Sequence, residues 1–474
     1  LEVVAEKTGY PVDMLELSMS LDADLGIDSI KRVEILSAIQ DRMPELPQLE
    51  AEVLGQLRTL ADVINALGNT TSTPEPKLNT VSLQTAPQPN EPIIRQVVRV
   101  TPLTETRTSR PIRKGGRAAV ISASEDALAA NVIAELERRG VNAVAVAPGN
   151  ACGAPLDAIV VITPQAATDD FVKKAFASAQ SGAEALRRSK KGVLATVSRL
   201  GGAFAFESLA EQANPVAGAL AGFAKTASHE WRDVTCRAID IDSNISADAL
   251  CDELERTSPI EVGLSERGTV ALELAEEALE REPFAFRPDD VIVVSGGARG
   301  VTAEVVETIA QSPGVSFLLL GRSEEPKAEE VWLAGLTTEA EIKQAIAKQS
   351  ASKLTPREIG EQCNRILAQR ELANNLERIR NAGARVLYRA VDVTEPAAVI
   401  DAVATAREEL GPITTLIHGA GVLADLLIED KTAELFDRVY DTKVLGLRAL
   451  LDATASDPLR ASVLFSSYTG RVGR

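Results

Sequence analysis

Cysteine and histidine are scarce in this 474-residue chain: four cysteines and two histidines. Cys152, Cys236, Cys251 and Cys363 are widely scattered, with no CxxC pair. That excludes a zinc framework or disulfide scaffold and favours a reducing compartment, the cytoplasm. Two histidines leave little material for imidazole catalysis or a His-rich metal site. No apolar run approaches the ~20 residues that a membrane span needs, and the opening residues do not read as a signal peptide. Basic residues are also in deficit: 50 Lys and Arg stand against 68 Asp and Glu, a formal net charge of −18. Such a surface repels nucleic acid and anionic lipid.

What is present suits a folded multidomain protein. Apolar residues make up 45% and charged residues 25%, and the length suits two or three domains. The first residues, Leu1-Glu-Val-Val-Ala-Glu-Lys-Thr, read as the interior of a helix without an initiating Met. The expectation is a soluble fragment cut at its front end.

Composition divides the chain into four zones. Residues 1–68 carry apolar positions near a 3.6 spacing, among them Leu25, Ile30, Val33, Ile35, Leu36 and Ile39, which predicts helices. Residues 69–112 are rich in Thr, Ser, Pro, Gln and Asn and read as a linker. Within it, Ile93, Ile94, Val97 and Val98 form a short apolar stretch able to dock as an edge strand. Residues 113–285 alternate strand-like and helical runs: RAAVIS, NAVAVA, DAIVVI, GVLATV and CRAIDI. Residues 286–474 repeat the rhythm with VIVVSGG, SFLLLG, RVLYRAVDV, ITTLIHGAG and SVLFSS. The fold class predicted is α/β: a helical domain, a linker, and two parallel, doubly wound sheets. A charged helical insertion from Ser323 to Ala384 reads as surface decoration.

Two segments carry chemistry. In LDADLGIDSIKRVEIL (21–36), Asp28-Ser29 can start a helix. Ser29 is then either a simple N-cap or a hydroxyl exposed to a modifying enzyme. The domain around it is acidic, 13 Asp and Glu against 5 Lys and Arg in residues 1–68, enough to steer basic partners. In VIVVSGGARGVTAEVV (291–306), a strand, a glycine turn with Gly296, Gly297, Arg299 and Gly300, and a helix occur in the order that cradles a pyrophosphate. Thr302 stands where the dinucleotide fingerprint has its third glycine, which predicts a slightly displaced helix. The next strand ends in Arg322-Ser323, a cation where an NAD enzyme places an acid, which points to a 2′-phosphate and so to NADPH.

The string DLGIDSIKRVEIL resembles the acyl carrier proteins, most closely the tandem carriers of polyunsaturated fatty acid synthases. The resemblance covers 1–68 and implies a four-helix carrier with 4′-phosphopantetheine attached to Ser29 by a phosphopantetheinyl transferase. The glycine turn, GRS, Asp392-Val393-Thr394 and His418-Gly419-Ala420-Gly421 together resemble the ketoreductases of polyketide and polyunsaturated fatty acid synthases, which are short-chain dehydrogenases. That resemblance implies two Rossmann-like subdomains, the structural one cofactor-free (113–285) and the catalytic one NADPH-bound (286–474). In the structural half, FAKTASHEWRDVTCRAIDID (223–242) fits the pattern, and His229 is expected to pack or hydrogen-bond rather than catalyse. The resemblance also implies roles for Lys443, which lowers the pKa of a tyrosine, and for Ser467, which polarises the substrate carbonyl. Asp425 aligns with a stereocontrolling acid, although Ala424 replaces the first Asp of that motif. Tyr468 adjoins Ser467 and does not fit the family's acid tyrosine, expected roughly a dozen residues beyond Ser467 and so past Arg474. The expectation is therefore a ketoreductase that reduces a tethered β-ketoacyl thioester within a larger synthase, with this 474-residue chain binding NADPH weakly and reducing little. The rivals are a carrier and scaffold without turnover and a dehydrogenase acting on a free small molecule.

Overall fold

The computed structural model describes residues 1–21, 24–27, 29–43, 59–68, 94–189, 191–207, 214–278, 284–350 and 354–473. The chain divides into two compact units that do not follow the zones read from composition. One comprises Leu1–Gln88, Phe286–His418 and Asp452–Ser462; the other comprises Pro89–Ala285, Gly419–Leu451 and Val463–Arg474.

The second of these units is built on eight strands: β1 (Gln96–Pro102), β2 (Arg117–Ile121), β3 (Asn142–Val146), β4 (Ala158–Ile162), β5 (Val193–Ser198), β6 (Thr235–Ile241), β7 (Glu261–Ser265) and β8 (Gly268–Glu276). Their order is β1-β8-β7-β6-β5-β4-β2-β3. Six of them, from β7 to β3, run parallel, and β8 and β1 close that edge antiparallel. Every residue of β4 and β5 is buried, so each strand feeds two cores. Ile159, Val161 and Leu194 join Phe171, Phe176, Leu186 and Trp231 on one face. Val160, Ile162, Val193 and Ala195 join Val132, Leu136, Leu250 and Leu254 on the other. This is the alternation of side chains along a strand expressed as two helical layers. Of the apolar stretch in the predicted linker, Val97 and Val98 dock in an edge strand, with β1 pairing β8 from Gln96↔Glu276 to Pro102↔Val270; Ile94 precedes the strand and is exposed, and Ile93 lies outside the described residues. The β7–β8 hairpin was not among the predicted strands; its two-residue turn, Glu266-Arg267, carries no Asn-Gly or Asp-Gly signal.

Two buried carboxylates, Glu253 and Asp240, gather hydrogen bonds in this interior. Arg237, fully buried, meets the Glu253 carboxylate, which also accepts from Arg107 at 2.7 Å. Burial pushes the Arg237 guanidinium down to about 10. At the carboxyl end of the sheet, Asp240 accepts from Ser198 Oγ (2.7 Å), Leu200 N (2.7 Å) and Phe204 N (2.8 Å), folding the loop after β5 over that end.

The other unit contains the strands β9 (Val291–Ser295), β10 (Ser316–Gly321), β11 (Arg385–Ala390) and β12 (Ile413–His418) and the first two residues of β13 (Ala461–Leu464), in the sheet order β11-β10-β9-β12-β13. The pairs β9–β10, β10–β11 and β9–β12 are parallel. The chain builds outward from β9 on one side, then crosses to β12 on the other. That reversal is the topological switch point at which open α/β sheets bind ligands, at the carboxyl ends of the strands.

The carrier-like segment contributes the helices Glu2–Thr8, Ser29–Arg42 and Leu60–Gly68 among the described residues. Ser29 opens its helix, as the sequence predicts; Asp28 lies outside the described residues, as do most residues of the predicted linker. Leu25, Ile35, Leu36 and Ile39 are buried as expected. Their core does not stop at the domain: it continues into Leu333, Ile342, Ile346, Ile359 and Cys363 of the charged insertion. The insertion is therefore not mere decoration. Its helices Glu339–Gln349 and Pro356–Asn381, each opened by a capping box, carry a narrow apolar stripe beneath a charged surface.

Glu253→Ala would leave the buried Arg237 guanidinium without its carboxylate partner. Loss of a buried partner costs about 3–5 kcal/mol, so hydrogen exchange should show the β4–β7 region opening far more readily, with β9–β12 unaffected.

Candidate functional site

The glycine turn sits where the fold places it, between β9 and the helix Gly300–Ala310. Its glycines are required for different reasons. Gly296 (φ 70°) and Gly300 (φ 60°) occupy the left-handed region that side chains disfavour. A Cβ on Gly297 would lie 2.5 Å from Val294 Cγ1, so the turn can lie flat on β9 only without one. Outside the helix's own backbone and chain neighbours, no atom stands within 4 Å of the Cβ position over Gly300. Thr302, in place of the third glycine, is buried in the first turn of the helix.

Three contacts that the sequence did not signal hold this turn. Ser295 Oγ and His418 Nδ1 lie 2.7 Å apart, both buried, and tie β9 to β12 at the switch point. Asn375 Nδ2 donates to Ala298 O at 3.1 Å. The Glu371 carboxylate accepts from Gly300 N (2.9 Å) and from Arg299 Nε (3.0 Å). An anion thus already sits on the N–H of the helix terminus. Glu371 and Asn375 lie about 70 positions away in a charged helix, and nothing local marks them.

Around the turn, Arg322 is exposed just past the end of β10. Its loop is set by Tyr388, whose hydroxyl donates to Ser323 O at 2.6 Å. A Cβ on Gly321 would come within 2.8 Å of that hydroxyl, so glycine is needed there too. Asp392 follows β11, and its Oδ1 accepts from Thr394 N (2.9 Å) and Thr394 Oγ1 (2.8 Å). Val393 is buried beside it. The glycine turn, Arg322, Ser323, Asp392, Val393 and His418 all belong to one unit. With two left-handed glycines and an exposed arginine after the next strand, these residues fit a phosphorylated dinucleotide once Glu371 leaves the N–H of the helix terminus.

Gly419, Ala420, Gly421, Asp425, Lys443 and Ser467 belong to the other unit. Lys443 projects from the helix Ala433–Ala453, and its Nζ donates to Phe465 O at 3.0 Å. A Cβ on Gly421 would lie 3.0 Å from Lys443 Cε, so the glycine makes room for the lysine stem. Burial pushes the Lys443 ammonium below the usual lysine range. Two residues beyond Phe465, Ser467 caps a short helix, its Oγ accepting from Thr469 N at 3.2 Å and lying 2.8 Å from Thr469 Oγ1. Tyr468 is 67% exposed, and Asp425 is exposed. His229 Nε2 is 2.9 Å from Val472 O, a hydrogen-bonding place.

Comparison with known proteins follows the same division. The family model described as a phosphopantetheine attachment site matches residues 1–67, and the model described as a KR domain matches residues 291–474. One of the polypeptides of the polyunsaturated fatty acid synthase of Thraustochytrium sp. is 31% identical over 542 residues, covering 99% of this chain and 19% of that protein. The polyketide synthase PksL of Bacillus subtilis is 24% identical over 264 residues, covering 53% of this chain and 5% of that protein. The chain thus spans about a fifth or less of these relatives. Among solved structures, A-type ketoreductases from a modular polyketide synthase match with a TM-score of 0.58 and 20% identity, covering 80% of this chain and 76% of that one. The first ketoreductase of the tylosin synthase matches with a TM-score of 0.57 and 18% identity, over 80% and 74%. These structural likenesses establish the α/β ketoreductase fold.

A methyl group at position 297 tests the turn. Overpacking of this kind costs about 1–3 kcal/mol, so Gly297→Ala should lower the thermal stability of the unit that holds β9, read by differential scanning calorimetry.

Proposed function

We propose that this chain carries acyl groups on Ser29 and reduces them, because residues 1–67 match the phosphopantetheine attachment model and residues 291–474 the KR-domain model. A phosphopantetheinyl transferase loads the Ser29 hydroxyl, and the arm's thiol holds a β-ketoacyl chain as a thioester. Tethering raises the substrate's effective concentration at the reductase. NADPH supplies the hydride that converts the β-ketone to a β-hydroxyl. Gly296, Gly297 and Gly300 bring the backbone close to its phosphates, and Arg299 and Arg322 offer cations to the 2′-phosphate. The observation that carries the reading is the pairing, in one chain, of a carrier segment with a glycine turn whose following strand leads to an exposed Arg322.

Ser467 donates a hydrogen bond to the substrate carbonyl, and Lys443, desolvated and oriented by Phe465 O, supports the proton donor and the ribose. By family resemblance, Gly419, Ala420 and Gly421 would leave room for the nicotinamide end, Asp425 would bias the configuration of the new hydroxyl, and Asp392 and Val393 would border the adenine. The surroundings are a cytoplasmic synthase whose other domains make and consume these thioesters.

The proton donor favours a second reading. Of the chain's four tyrosines, Tyr10, Tyr388 and Tyr440 donate to Leu25 O, Ser323 O and Asp169 Oδ1, respectively. Tyr468, adjacent to Ser467, is the fourth. A positioned general acid contributes about 10²–10⁴-fold, so by itself this chain acts chiefly as carrier and scaffold, with reduction slowed by such a factor.

Loading the chain with a β-ketoacyl-phosphopantetheine and adding NADPH tests both readings. Modification should be lost in Ser29→Ala, while NADPH should quench or shift fluorescence saturably in wild type. Gain of two hydrogens on the Ser29 peptide should be slow, and slower still in Lys443→Ala. Rapid reduction would overturn the scaffold reading, and absence of any saturable NADPH binding would overturn the reductase.

Glu371 makes a further point measurable. Its carboxylate occupies the N–H that a phosphate would use, so NADPH must displace it. Glu371→Gln should tighten NADPH binding about threefold to tenfold, the worth of roughly 0.7–1.4 kcal/mol, read by fluorescence titration.

A further inference from the structure

The helix Pro356–Asn381 makes two contacts that the reductase reading does not use together. Toward its C-terminal half, Glu371 and Asn375 grip the glycine turn. Toward its N-terminal half, Ile359, Gly360 and Cys363 lie under the carrier segment. A Cβ on Gly360 would come within 2.7 Å of the Tyr10 hydroxyl, so glycine here lets the carrier's tyrosine rest on the helix backbone. Eleven residues separate Gly360 from Glu371 along one helix, a rise of about 16 Å.

The neighbouring helix Glu339–Gln349 completes the surface. Gly9, left-handed at φ 78°, ends the carrier's first helix, and a Cβ there would fall 2.6 Å from Ala340 Cα. Lys343, only 5% exposed, donates from Nζ to Thr8 O at 2.9 Å and stands 4.2 Å from the centroid of the Tyr10 ring. Its charge is offset by Glu339 at 2.6 Å. A lysine buried on a carbonyl that a helix end leaves unpaired and on an aromatic face is a specific arrangement, since either interaction weakens if the bodies shift.

We propose that the helices Glu339–Gln349 and Pro356–Asn381 form a docking platform for this chain's own carrier segment. The platform seats Thr8, Gly9 and Tyr10 against Ala340, Lys343 and Gly360. The same long helix then holds the carrier at a set distance from the nucleotide turn, so that the tethered arm starts each search from one place. Docking does not engage Ser29 chemically and is independent of whether the chain reduces anything.

Hydrogen exchange on the intact 474-residue protein tests this, with Ala340→Arg to wedge the platform and Lys343→Met to remove the charge while keeping the stem. Peptides spanning 2–15 and 339–360 should exchange at least about tenfold faster in both variants, as expected when a docked element is released, with β9–β12 unchanged. Unaltered exchange at 2–15 in both variants would overturn the proposal. If Ala340→Arg also opens β9–β12, it has unfolded the unit, and Lys343→Met alone decides by the same readout. Protection at 2–15 that disappears on dilution of wild type would mean that a second copy supplies the carrier, which overturns docking within one chain.

Discussion

Burial of the inner strands on both faces is the constraint from which the rest of this structure follows. In β4, β5 and β9 no residue reaches solvent. Each buried Val, Ile or Leu contributes about 1.5–3 kcal/mol only if a layer covers it, so helices must lie on both sides of each sheet. The strand ends are then the places where the backbone can meet a ligand. The turn after β9, Arg322 past β10, Asp392 past β11 and Gly419 after β12 are all such ends.

The two sheets differ in what becomes of those ends. In the eight-stranded sheet, Asp240 accepts three hydrogen bonds and draws the loop after β5 across the carboxyl edge. In the five-stranded sheet the equivalent region carries Gly296, Gly297 and Gly300, and the Cβ position over Gly300 is open. The two sheets therefore differ at their carboxyl edges for reasons of hydrogen bonding and backbone conformation rather than of overall architecture.

The insertion after β10 turns that platform into something more than a reductase half. Its apolar stripe, Leu333, Ile342, Ile346, Ile359 and Cys363, shares a core with the carrier helices. The same helix that buries Ile359 presents Glu371 to Arg299 and Gly300. Carrier segment and glycine turn are thereby joined through one helix, and the Glu371 carboxylate holds the N–H at the helix terminus.

Much of this was legible in the sequence. The continuous apolar runs of β2, β4, β5, β9 and β10 announced a doubly wound α/β fold, because strands buried on both faces cannot alternate with polar residues. The glycine turn, Arg322 and the helix opened by Ser29 were legible because each depends on neighbours within a few positions. The β7–β8 hairpin was not, since its turn lacks the residues that advertise one. Lys443 was singled out by family resemblance, and only the fold supplied its neighbours Phe465 O and Gly421 and the burial that depresses its pKa. Ser295 with His418, Glu371 on Gly300, Asn375 on Ala298 and Lys343 on Tyr10 left no trace in the text. Each joins segments 70 or more positions apart, and such contacts come from packing, which local composition does not encode.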